Sequence, residues 1–235
     1  MVSGERLLLI AAEPREFGGL LGFCRNLQRL EWPVNWARSA ELGDREVVLV
    51  ANGAGPGRAS LAAETAKLAS RVVSVCSMGF CGALDRSLNV GDIFVADCVR
   101  AGARSFSVSQ PVTRQAYCSG ALASISHVAQ TAEEKSRLRT TGAWAVEMEA
   151  AGVAEKAAEW ELPFYCVKAV TDLAEESFGV DFNAALRLDG SFDTMRVLAG
   201  AMRRPVKLFP ELIRLRGRCQ TAAKALGEFI AGCRF

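Results

Sequence analysis

Three carboxylates stand at the ends of two apolar runs. Trp144-Ala145-Val146 leads into Glu147-Met148-Glu149, and the run over residues 162–170 leads into Thr171-Asp172. The stretch between them has the composition of a helix, so the unit reads strand, helix, strand. Ligands of open α/β sheets bind outside the carboxyl ends of the strands, and acids placed there suit hydroxyl recognition and proton donation. Simpler readings exist for each acid alone. Glu147 or Glu149 can open the helix, where a negative charge suits the dipole, and Asp172 can be an N-cap. A shared site accounts for all three together.

Two glycine-rich turns could bring backbone close to a ligand. Gly53-Ala54-Gly55-Pro56-Gly57 precedes a helix but matches neither a P-loop nor a dinucleotide fingerprint. It is read equally well as a tight strand-to-helix turn or as a ligand contact. Gly79-Phe80-Cys81-Gly82 follows a buried strand, and there ligand contact is favoured. His127 is the sole histidine and has no serine elbow beside it, so a hydrolytic triad is not expected and a surface or hydrogen-bonded role is.

The elements that must position these residues follow from periodicity and punctuation. Residues 7–12 read as a first buried strand ending at Glu13-Pro14-Arg15-Glu16, with Pro14 opening a helix that reaches residue 30. Strands are expected at 34–37, 46–51, 72–77 and 93–99, with a helix over 59–70. The serine-rich middle, 101–120, gives little strand signal; a strand at 122–125 and a helix at 132–139 follow. Beyond Asp172 strand signals stop, and 181–188, 192–202 and the segment from Pro210 onward look helical. Strands alternating with helices imply a single three-layer α/β domain around a twisted, mostly parallel sheet covered on both faces. The division expected is one domain over 1–205 and a helical basic tail over 206–235.

Half of the 235 residues are hydrophobic and the net charge is +2, which gives a sizeable core and no bias toward nucleic acid. The eight cysteines show no metal-ligand spacing and several sit in apolar runs, so buried free thiols in a reducing cytoplasm are expected, with no metal. The apolar stretch near the amino end is too short for a signal peptide or a spanning helix.

Together, Ala145-Val146-Glu147-Met148-Glu149-Ala150, Leu162-Pro163-Phe164, Ala169-Val170-Thr171-Asp172, Gly79 to Gly82 and Val90-Gly91-Asp92 resemble the purine nucleoside phosphorylase superfamily. The chain looks most like the nucleosidases that split methylthioadenosine and adenosylhomocysteine. That resemblance implies cleavage of the N-glycosidic bond of a purine nucleoside, an adenosine modified at its 5′ position, with no cofactor and in a homo-oligomer. By position it makes Glu149 the holder of the ribose hydroxyls and Met148 the residue packed on the sugar. Asp172 becomes the acid for purine N7, and Glu16 the base that activates water. Glu147 supports the site, and Gly79 and Phe80 line the purine and sugar. Phe80 is a departure, because the nucleosidases usually carry a small residue there. A second departure is that no adenine-contacting aromatic is evident around Val128-Ala129-Gln130. Arg15 stands where the superfamily's phosphorylases place a phosphate-binding arginine, so Pro14-Arg15-Glu16 holds a candidate for each nucleophile, with water favoured. Inorganic phosphate would be the co-substrate of a phosphorylase, and a nucleoside-binding sensor is the non-catalytic alternative.

The carboxyl-terminal part is similar to hopanoid-associated phosphorylases through Leu188-Asp189-Gly190-Ser191, Met202-Arg203-Arg204-Pro205 and the basic tail. Leu208, Phe209, Leu212, Ile213 and Leu215 alternate with Lys207, Arg214, Arg216 and Arg218, as in an interfacial helix that would hold the protein at the inner membrane face. The other reading is a helix packed on the domain or between subunits.

Overall fold

The computed structural model describes residues 4–202 and 205–235; Arg203 and Arg204 of the tail resemblance lie outside the described residues. Strand β1 (Arg6–Ala11) is followed by 3-10 turns at Pro14–Phe17 and Leu21–Phe23, then β2 (Cys24–Arg29), β3 (Trp36–Leu42) and β4 (Arg45–Ala51). Helix α1 (Pro56–Ala69) leads to the long β5 (Val72–Ala83), β6 (Ile93–Ala101), β7 (Arg104–Ser107) and β8 (Cys118–Ser124). Helix α2 (Ala132–Thr140), β9 (Ala143–Glu147), α3 (Ala150–Glu159) and β10 (Phe164–Asp172) complete the part that carries the acids. Helices α4 (Phe182–Ala185), α5 (Thr194–Met202) and α6 (Pro205–Ala231) close the chain.

All ten strands belong to one sheet, ordered β10-β6-β8-β9-β5-β1-β4-β3-β2, with β7 on β6. Ladder β10–β5 closes five of them on one another. The ladders β4–β1, β1–β5 and β5–β10 are parallel, so Ala11, Gly82 and Asp172 finish on the same side of the sheet. One face packs on α1 and α3, the other on α6, which accounts for strands that are apolar on both faces. The α/β class with a single central sheet and a helical carboxyl end is as expected, but the sheet is mixed rather than mostly parallel, with antiparallel ladders at β2–β3, β3–β4, β5–β9, β6–β7 and β6–β10.

The first expected helix does not form beyond one turn. Gly18, Gly19 and Gly22 interrupt it, and glycine costs about 1 kcal/mol in a helix relative to alanine. Gly19 is there for a contact: a Cβ on it would lie 2.2 Å from the Ala223 carbonyl oxygen in α6. The residues expected to finish that helix form β2 on the sheet edge instead. The serine-rich middle contains β7 and the start of β8, polar because β7 is exposed. Only 182–185 of the segment 181–188 is helical.

Helix α6 starts at Pro205 and carries Pro210 within it. Its Ala222, Leu226, Phe229 and Ile230 are buried with Phe17, Leu20 and Leu49 in the domain core. Leu208 and Leu212 pack with Val180 and Ala201, while Ile213 is exposed. Much of the apolar stripe of the tail therefore lies on the domain. Among the described residues no helix is long and apolar enough to cross a membrane, and the eight cysteines are unpaired.

Candidate active site

At the shared end of β1, β5, β9 and β10 lies a cleft of about 460 Å³ whose walls include Glu16, Phe80, Glu147, Met148, Glu149 and Asp172. All four acids are at least 93% buried, so each needs a reason to be there.

Glu16 follows the end of β1 by one 3-10 turn. Its carboxylate turns back to accept from the Glu13 N–H (2.8 Å) and the Phe80 N–H (2.9 Å). Gly79 makes this possible: its φ of +135° suits glycine, and a Cβ there would sit 2.6 Å from Glu16 Oε1. Gly79 therefore backs Glu16, and it is Phe80, Cys81 and Gly82 that line the cleft. Burial raises the Glu16 pKa above the usual carboxylate value, against the two N–H donors and Lys168. Arg15, one residue earlier, is exposed and paired with Glu13 at the rim. The turn thus buries the acid and leaves the cation, which also lines the cleft, exposed at its mouth.

Glu147 ends β9 and caps α3, accepting from the Glu149 and Ala150 N–H groups at 2.9 Å. Burial works to raise its carboxyl, but the Lys168 ammonium 2.9 Å away and these donors hold it below the usual range. Lys168 is wholly buried in β10 and also reaches Ser77 Oγ at 3.0 Å; the surrounding acids drive its pKa upward. Among the described residues Glu149 has a single protein donor, the Gly55 N–H at 3.1 Å. Burial, then repulsion from Glu147, pushes it up to about 8. The first glycine loop accordingly binds a protein carboxylate, with Gly55 as its contact.

Asp172 ends β10. Thr171 Oγ1 donates to its Oδ1 at 2.9 Å, and the fully buried Lys135 of α2 contacts its Oδ2. Burial raises its carboxyl while Lys135 opposes the rise. Met148 is buried in the cleft wall beside Glu149. Phe178, Phe182 and Phe192, stacked edge to face at 5.2 and 6.1 Å, bring an aromatic wall from the segment after β10. Around Val128, where the sequence shows no aromatic, the cleft is thus lined by phenylalanines from elsewhere in the chain. His127 lies at the rim, bonded to Glu134 at 2.6 Å.

Lys168 and Lys135 were not among the sequence candidates. Lys168 had a signal, a lone cation in the apolar run Cys166-Val167-Lys168-Ala169-Val170. Lys135 had none, because Glu133-Glu134-Lys135 reads as a solvated helix face.

A family model described as the phosphorylase superfamily matches residues 37–130 and 105–189. The chain is 31% identical over 176 residues to a 5′-methylthioadenosine/S-adenosylhomocysteine nucleosidase of Staphylococcus saprophyticus, covering 62% of this chain and 76% of the relative. A Staphylococcus aureus nucleosidase of the same description is 30% identical over 174 residues, with the same coverage. Among solved structures, the Streptococcus pneumoniae nucleosidase with the transition-state inhibitor MT-ImmA superposes with a TM-score of 0.70. It is 18% identical, and the match covers 97% of this chain and 99% of that one. Futalosine hydrolase of Helicobacter pylori matches with a TM-score of 0.69 at 17% identity, covering 96% and 97%.

Proposed function

The chain belongs to the phosphorylase superfamily, and on that premise we propose that it hydrolyses the N-glycosidic bond of an adenosine-type nucleoside modified at the 5′ position. The observation that carries water as nucleophile is the division within Pro14-Arg15-Glu16. Glu16 is fixed inside the cleft by two backbone donors, whereas Arg15 stands at the exposed mouth with its charge engaged by Glu13. A water attacking C1′ needs a base, while phosphate needs cations or free donors.

In this reading Glu149 and Met148 hold the sugar. Glu149, whose affinity for a proton is raised by burial and by Glu147, can in its protonated form donate to one ribose hydroxyl and accept from another. Asp172 gives its proton to purine N7 as the N9–C1′ bond breaks and its electron pair passes to the base. The oxocarbenium-like sugar is then taken by a water whose proton goes to Glu16, a base that burial makes more basic. Glu147, locked by Lys168 and the start of α3, keeps Glu149 in place. The phenylalanine wall faces the purine, and Val197, Leu212 and Leu215 continue the cleft as an apolar surface for the 5′ substituent.

Incubation with 5′-methylthioadenosine, with and without phosphate, tests the reading. Free adenine with a reducing sugar in phosphate-free buffer is expected. Strict phosphate dependence with ribose-1-phosphate product overturns water as nucleophile, and binding without release of base leaves a sensor.

A peripheral membrane role for the tail is part of the same proposal, favoured by one observation. Leu188, Met195, Met202, Val206 and Ile213 are each at least 65% exposed, close in sequence to Arg187, Arg196, Lys207 and Arg214. Cosedimentation with vesicles containing anionic lipid is expected and should fall with salt; no sedimentation at low salt removes the role.

A further inference from the structure

Lys135 is the one fully buried cation of the cleft that the scheme above leaves without a task. It stands on α2, a helix that is otherwise mostly polar and that packs on the domain through Leu138. Thr131 caps that helix by accepting from the Glu134 N–H at 3.1 Å. The cap turns Lys135 inward, 37 residues in sequence from its partner, to contact Asp172 Oδ2. Its ammonium also donates to the Leu173 carbonyl at 2.8 Å and lies 5.4 Å from the Phe178 ring centre. Two oxygens and an aromatic face account for the donors of a charged ammonium. The stem loses all contact with water, which is costly for a lysine unless the charge is paired. A helix needing only an apolar anchor there would be better served by leucine or methionine.

We propose that Lys135 is a positioning residue for the leaving-group acid: it fixes the rotamer of Asp172 and stabilises the carboxylate that Asp172 becomes when its proton passes to the purine. The inference rests on Asp172 being that acid. In the step itself the Asp172 O–H bond breaks, N7–H forms, and the N9–C1′ pair moves into the purine. The proton on Lys135 stays where it is. Its charge lowers the energy of the developing anion in a site from which water is excluded, where such an interaction acts most strongly. Without it, burial alone would make Asp172 a poor proton donor.

Other groups around Asp172 do not duplicate this role. Thr171 donates to Oδ1 from β10, and Cys81 on β5 lies close enough to feel the charge. Glu176, in the turn after β10, opposes ionisation of Asp172 but is itself clamped by Arg218 of α6 at 2.5 and 2.9 Å. Arg218 and Cys219 of α6 complete the surroundings. Lys135 is the cation in direct contact.

The sign of the expected change follows from general acid catalysis, in which rate is lost as pH rises through the pKa of the acid. Removing the cation raises that pKa. The test therefore compares kcat/KM against pH for the wild type, Lys135→Met and Lys135→Gln, the second retaining a hydrogen-bond donor without charge. The basic limb is expected to move up by about one pH unit or more in both variants. The maximal kcat is expected to fall about 10- to 100-fold, with a much smaller change in KM. Binding of a non-cleavable 9-deazaadenine C-nucleoside, whose N7 carries a permanent hydrogen, gives a readout without turnover. At pH 7 the variants should bind it about tenfold more weakly than wild type and recover as pH rises.

A merely structural lysine would lower the melting temperature and leave both pH dependences in place. That result in either soluble variant overturns the proposal. Asp172→Asn separates the two levels. If its basic limb is unchanged, Asp172 is not the acid. If the limb disappears there but does not move in the Lys135 variants, the inference about Lys135 alone falls.

Discussion

Gly79→Ala is the substitution most informative about the water-activating half of the site. Alanine at φ +135° lies outside the regions open to L-residues, at a cost of about 1–3 kcal/mol. Its Cβ would lie 2.6 Å from Glu16 Oε1 and 3.1 Å from the carboxyl carbon, so the carboxylate must retreat by roughly 1 Å to regain van der Waals contact. That movement takes the 2.9 Å bond from the Phe80 N–H beyond useful length. A charge-assisted bond of this kind is worth about 1.5–3 kcal/mol. The combined loss is about 2.5–6 kcal/mol of stability, readable as a lower urea midpoint at unchanged slope. Turnover should fall about 100-fold from a misplacement on the order of 1 Å, while adenine still binds, because Glu16 is assigned to the water. Unfolding free energy within about 1 kcal/mol of wild type and turnover within roughly threefold would refute the claim that Gly79 positions Glu16.

Three further outcomes are expected. Asp172→Asn should cut turnover by about 100-fold or more and also lower the melting temperature, because Lys135 is left buried without its anion; near-normal turnover removes Asp172 from the mechanism. Arg15→Ala should leave kcat/KM within roughly threefold, since its charge is directed to Glu13 at the rim, and a large loss confined to phosphate buffer would restore the phosphorylase reading. Glu149 has a folded pKa of about 8 against an ordinary 4.5, so its contribution to stability is complete below pH 4.5 and is lost as pH rises toward 8. At most about 5 kcal/mol is involved, and Glu149→Gln should flatten the decline in denaturant midpoint between pH 5 and pH 9; an unaltered slope would show that Glu149 is not the group ionising.

Some of this site was readable because its residues are local to strong elements. The runs ending at Glu147 and Asp172 are apolar on both faces, so strand, helix and strand followed from composition and their acids fell at the strand ends. Glu16 was reached by resemblance, and its place in the cleft depends on Phe80 and Gly79, 64 and 63 residues away. The helix expected from Pro14 failed because a contact between Gly19 and Gly227 decides the local backbone, and neither glycine signals the other. Lys135 was illegible for a related reason. Its neighbours are solvated, and only the docking of α2 against the end of β10 shows that one residue of that helix turns inward.

The acids of the cleft are differentiated by what touches them more than by how deeply they lie, since all are nearly equally buried. Glu147 has a cation and two N–H donors, and it is the one held below the usual carboxylate range. Glu16 has two N–H donors but no cation in contact, and its pKa is raised. Asp172 has a cation and a hydroxyl; its pKa also rises, with Lys135 opposing the rise. Glu149 has one N–H and a like charge next to it, and it stands at about 8. These contacts fit the proposed roles: the best-compensated acid, Glu147, as a structural anion, the least compensated, Glu149, as the sugar's partner, and the two between them as the groups that exchange protons. A glycosidic bond cut with proton transfer at both ends needs a donor and an acceptor on opposite sides of it, and Asp172 on β10 and Glu16 in the turn after β1 are two such groups in one cleft.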